Sequence, residues 1–146
     1  MISETYDYLP SESKNIYIFE SKSEQRSILK GIVFSQFEGN LWNLAFGDIQ
    51  NGDINDSVVS NNQDIVKTIG TIAKIVYEFS NQYSNRDILI NPVDDKRKKL
   101  YNHVFRRHFN TINLDFYVTG VSDGVDEDYS TEKTYDIFKL KRKFVK

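Results

Sequence analysis

The sequence predicts an α+β protein of element order β-β-β-α-β-α-β-β, with one mixed, mostly antiparallel sheet and two helices packed on it. Three observations predict it. Short runs rich in aromatic and β-branched residues alternate with two longer stretches of helical periodicity. The chain has 146 residues, which is the length of one domain and enough for a core without covalent staples. Its 10 Phe, 9 Tyr and 1 Trp supply large apolar area, while only 2 Pro and 7 Gly leave little material for linkers.

Residues 1–14 are polar and interrupted by Pro10, and read as a loosely held arm, with residues 15–146 forming a single domain. Asn15–Glu20 (NIYIFE) and Ser27–Phe37 (SILKGIVFSQF) carry strand composition. Glu38-Gly39-Asn40 is a turn signal, and Leu41–Gly47 (LWNLAFG) is the third strand, so 15–47 reads as an antiparallel meander. A polar loop, 48–60, follows. Ser60 with Gln63 matches a capping box, and Asp64 suits the positive end of a helix dipole. Ile65, Ile69, Ile72, Val76, Phe79 and Tyr83 then recur at helical spacing. Asp87–Asn91 is a short apolar strand ended by Pro92. Asp94 and Asp95 can cap a second helix over 96–109. Asn113–Gly120 is a strand, 121–131 an acidic loop, and Thr134–Phe144 the last strand.

Cysteine is absent, which excludes disulfides, thiolate nucleophiles and zinc–thiolate sites and fits a cytoplasmic setting. Met1–Pro10 lacks the basic and apolar regions of a signal peptide, and no stretch has the roughly 18 apolar residues of a membrane span. No membrane partner and no cofactor are expected. The net charge of −2 hides an asymmetry. Residues 1–95 hold 7 Lys/Arg against 14 Asp/Glu, whereas residues 96–146 hold 12 against 7. Such a division can mark an anion-binding face.

That face is readable from the second helix. At about 100° per residue, Lys96, Lys99, His103, Arg106 and Arg107 share one arc. Leu100, Tyr101, Val104 and Phe105 lie opposite, with Arg97 and His108 among them. Lys139, Lys141 and Lys143 alternate along the last strand and share one side of it. If the two elements expose neighbouring surfaces, the cations form one patch for an acidic protein or a nucleic acid. The competing reading of the lysines is protection of an edge strand, and an exposed final strand also permits a homodimer.

Three motifs carry a resemblance to known proteins. Asn43-Leu44-Ala45-Phe46-Gly47-Asp48 ends the third strand, Asn61-Asn62-Gln63-Asp64 opens the first helix, and Arg97-Lys98-Lys99-Leu100-Tyr101 opens the second. With the closing Phe138-x-Leu140-x-Arg142-Lys143, the set resembles an uncharacterised family of small, stand-alone bacterial proteins. Gln63 stands where that family usually has Gly, and Lys99 where it has a second Arg. The resemblance implies no activity. It marks Asp48, Asp64, Arg97, Lys99 and Tyr101 as a candidate ligand-binding set. Arg97, aimed at the core, either clamps a ligand anion or pairs with Asp48, Asp53, Asp56 or Asp64.

Other chemistry is poorly supported. His103 and His108 are five residues apart and point about 140° from each other on a helix, so they cannot share a metal. Glu20, Asp64 and Asp94 lie near element ends, as in a ribonuclease-H-like metal-dependent nuclease, but their spacing is not diagnostic. The 48–56 loop fails the EF-hand pattern, and no phosphate-cradling glycine loop or nucleophile elbow occurs. An RNA-binding sheet needs aromatics beside Lys or Arg on its central strands. The strands at 15–20 and 41–47 carry almost no basic residues.

Overall fold

A computed structural model describes residues 4–13, 15–50, 53–55 and 64–143, with the backbone alone for 53–55. The Ser60/Gln63 capping box, Asn61 to Gln63, Asp56, Phe144 and the Asp53 side chain lie outside the described residues.

Among the described residues nine strands and two helices follow one another: β1 (Tyr8–Pro10), β2 (Ile16–Lys22), β3 (Ser27–Glu38), β4 (Leu41–Gln50), β5 (Asp53–Asn55), α1 (Ile65–Gln82), β6 (Asp87–Ile90), α2 (Asp95–Asp115), β7 (Phe116–Ser122), β8 (Val125–Asp128) and β9 (Ile137–Arg142). The strands hydrogen-bond in the order β1-β2-β3-β4-β6-β9-β7-β8, with β5 added to β4. β4 and β6 run parallel, Trp42 opposite Ile88, and antiparallel ladders join β2 to β3, β6 to β9 and β7 to β9. The fold is therefore the α+β class with one mixed sheet that the sequence predicts.

The differences have local causes. The predicted arm contributes β1: Tyr8 pairs with Phe19, and Pro10 is tolerated because β1 is an edge strand. Within that segment the Tyr6 backbone N–H donates to Thr71 Oγ1 at 2.7 Å, and Tyr6 is buried. The predicted acidic loop contains β8. Asp123 and Gly124 both have positive φ, 51° and 76°, as the tight two-residue turn between β7 and β8 requires. α2 continues past Phe109 to Asp115, because no Gly or Pro stops it before Phe116 turns into β7. β9 lies between β6 and β7 and is not an edge, so it offers no free rim for pairing with a second copy.

The chain gathers into two compact units. One comprises residues 2–35 and 44–83, with α1, β1, β2 and the larger parts of β3 and β4. Tyr17, Phe19, Ile32, Phe34, Phe46, Ile75 and Phe79 fill its core, where Phe34 stacks on Phe79 with centroids 3.8 Å apart. The other comprises residues 36–43 and 84–146, with α2 and β6 to β9. Here Phe105 stacks on Phe138 at 4.3 Å, and Phe116, Val118, Tyr135 and Leu140 complete the core. Gly120 is needed in this unit, because a Cβ there would lie 2.4 Å from the Tyr135 ring.

Candidate functional site

α2 sets out the cationic face. Its N-cap is Asp94, whose Oδ1 accepts the Arg97 backbone N–H at 2.8 Å. Its Oδ2 accepts Arg97 Nη1 at 2.7 Å. Arg97 is buried, as its angular position predicts, and the partner that the structure shows is the cap of its own helix. Tyr101 lies one turn on. Burial pushes its hydroxyl up to about 12, with Arg97 pulling in the opposite direction. Phe105 and Asn102 face inward. Asn102 was not singled out in the sequence, yet it holds the chain before β9. Its Nδ2 donates to the Tyr135 carbonyl at 2.9 Å and its Oδ1 accepts the Tyr135 N–H at 2.8 Å.

Lys96, Lys99, His103, Arg106 and Arg107 are all exposed, on the side of α2 away from these contacts. None of the four Lys and Arg among them forms an ion pair with a described carboxylate; the Arg106 Nε donates to the Thr131 carbonyl at 3.1 Å. The neighbouring Lys98 is engaged by Asp136 at 2.5 Å, which holds the Asp136 carboxyl below its ordinary range. His108 is half-buried, and burial lowers its pKa.

The β9 lysines do not extend this face. Phe138 points to α2, so Lys139 and Lys141, one residue out of phase, point to the other side of the strand. The helix stripe and the strand lysines thus occupy opposite faces of this unit's strands. Lys139 pairs with Asp126 at 2.8 Å, and Lys143 Nζ donates to the Asn113 carbonyl at 2.5 Å.

The remaining motif residues lie in the first unit, in a polar layer of its core. Asp48 accepts a hydrogen bond from Lys30 Nζ at 2.9 Å, with both side chains almost fully buried, 2% exposed for Lys30 and 4% for Asp48. Lys30 also lies 5.7 Å from the centre of the Phe46 ring. Asp64 occupies the N-cap position of α1, but its side chain makes no capping bond. Its Oδ2 instead accepts Tyr6 Oη and Ser21 Oγ, each at 2.5 Å. Burial, and then the bond to Asp64, raises the Tyr6 pKa. Lys30 was missed in the sequence although a signal exists. Ile28, Lys30, Ile32 and Phe34 share one strand face by period 2, which puts an ammonium among core residues and demands a carboxylate.

Of the candidate ligand set, the structure therefore places Asp48, Asp64 and Arg97 each with a protein partner of its own, and leaves Lys99 exposed. Among the described residues no three His, Asp or Glu side chains are grouped to hold a metal. No helix among them is long and apolar enough to cross a membrane.

A mixed-sheet α+β protein with a cationic helix face is the class that these features define. A family model described as a family of unknown function (DUF6934) matches residues 3–143, and the chain belongs to that family. No curated protein and no solved structure matches it.

Proposed function

We propose that the protein is a non-enzymatic binding module that contacts an anionic partner, an acidic protein or a nucleic acid, through the outer face of α2 in the cytoplasm. One observation carries this reading. Lys96, Lys99, Arg106 and Arg107 are exposed together on one helix face while the cations around them, Arg97, Lys98 and Lys133, are held by acids of the chain itself. Such a face neutralises phosphates or carboxylates and releases their counterions, so binding weakens steeply with salt. The alternative of a ligand pocket or metal-dependent nuclease around Asp48, Asp64 and Arg97 has less support, because those groups are spent on Lys30, Tyr6 with Ser21, and Asp94.

The test is retention on heparin at about 50 mM salt, with Lys99→Glu/Arg107→Glu as the comparison. Retention that falls with salt and is lost in the double variant is the expected outcome. Failure of the unaltered protein to bind removes the reading.

A further inference from the structure

The sheet side of the second unit, facing away from α2, carries a different arrangement. We propose that the corner formed by Tyr117, Lys141 and Lys143 is a stacking platform for single-stranded nucleic acid. This surface is separate from the helix face and does not depend on it.

The argument starts from register. In the β7–β9 ladder Tyr117 is opposite Lys141 and Thr119 opposite Lys139. The alternate residues Phe116, Val118, Phe138 and Leu140 are buried, so Tyr117 and Lys141 share the other side. Tyr117 is 60% exposed. The β8 ladder ends at Thr119, and the Tyr129 N–H adds one further bond to the Val118 carbonyl at 3.0 Å. The Lys143 ammonium lies 4.9 Å from the centre of its ring. An aromatic ring beside lysines on a strand with neighbours on both sides is the arrangement by which sheet proteins stack an unpaired base and hold its phosphates. β9 supplies it because it is an interior strand and not the edge read from the sequence.

The acids on this side set the limits of the contact. Asp126 takes Lys139, and Asp128 lies opposite Thr119, so the β8 end repels phosphate. Asp87 feels Lys141, but it is half-buried, with its carboxyl raised chiefly by desolvation. At the end that holds the ring, Asp115 lies opposite Lys143, whose N–H donates to its carbonyl at 2.8 Å, and Lys141 and Lys143 supply the cations. Lys141 and Lys143, two residues apart, stand about 7 Å from each other along the chain, comparable to the step between phosphates of an extended strand. A duplex hides its base faces in the stack and cannot use Tyr117, so the ligand is single-stranded.

The experiment is fluorescence anisotropy with a labelled mixed-sequence oligonucleotide of about ten nucleotides, as RNA and as DNA, on the full chain at low salt. Tyr117→Ala is expected to weaken binding at least about five-fold, with Tyr117→Phe retaining it. Lys141→Ala is expected to lower the magnitude of the logarithmic salt slope by about 0.7. Where Tyr117→Ala weakens binding, whether RNA, DNA or both are bound assigns the ligand. Circular dichroism confirms that each variant is folded. Equal affinity of Tyr117→Ala and the unaltered protein overturns the proposal, as does no binding. Loss of oligonucleotide binding in Lys99→Glu/Arg107→Glu alone, with Tyr117→Ala unaffected, places the contact on α2 and also overturns it, leaving the helix reading intact.

Discussion

Replacing Asp48 by Ala removes the carboxylate 2.9 Å from the Lys30 ammonium in a site where both side chains are almost fully excluded from water. At this burial, solvent screening does not blunt the effect as it does for surface pairs. Deleting one member of such a pair costs about 3–5 kcal/mol, because the surviving charge keeps its desolvation penalty and loses the attraction that offset it. Net stabilities of domains are about 5–15 kcal/mol, so the variant should be folded but fragile. With a urea dependence of about 2 kcal/mol per molar, the unfolding midpoint by far-UV circular dichroism falls by about 2 M. The double variant Lys30→Met/Asp48→Leu removes both charges and keeps apolar bulk. It should recover most of the loss and can exceed the original stability. A loss below about 1 kcal/mol in Asp48→Ala, or a double variant as weak as the single one, would refute the reasoning that an ion pair in the core sets the stability of this unit.

Three further outcomes follow from the second unit. Asn102→Ala strips the side-chain bonds from the buried Tyr135 N–H and carbonyl, and should cost about 2–4 kcal/mol in the same denaturation assay. Gly120→Ala drives a methyl group into the Tyr135 ring, an overpacking cost of about 1–3 kcal/mol that a thermal melt would show as a lowered Tm. His108 should titrate, by proton NMR of its ring, below the ordinary histidine value of 6.5, because burial disfavours its charged form. The folded state then binds fewer protons than the unfolded one in the window between the two values. This contribution to stability is complete above pH 6.5 and is lost as pH falls toward the lowered folded value.

The two long helices and the main strands were legible because each repeats its apolar residues over many positions, as Ile65 to Tyr83 do on α1. The short strands were not. β1 has three residues and a proline, and β8 reads VDED, whose placement comes from the Asp123-Gly124 turn and from β7 beside it. Helical phase correctly separated the exposed Lys96, Lys99, His103, Arg106 and Arg107 from the buried Arg97. Phase within an element says nothing of which strands flank it. Alternation alone therefore lets Lys139 and Lys141 join the α2 stripe, whereas Phe138 stacked on Phe105 turns them the other way. The partner of Arg97 was also out of reach. The neighbouring Asp94 reads as a cap, and only the folded turn shows that one carboxylate serves both the helix N-terminus and the guanidinium.

The tie between the N-terminal segment and α1 bears on how this protein can be shortened. Trimming the chain at residue 15, where the first obvious strand begins, would discard Tyr6 with its bonds to Asp64 and Thr71, and Tyr8 with its bond to Glu78. It would also bare the outer rim of β2, whose Ile-Tyr-Ile-Phe run is now shielded by a strand that ends in proline. An uncovered rim of that composition recruits other chains, so the trimmed protein should precipitate where the longer one stays dispersed.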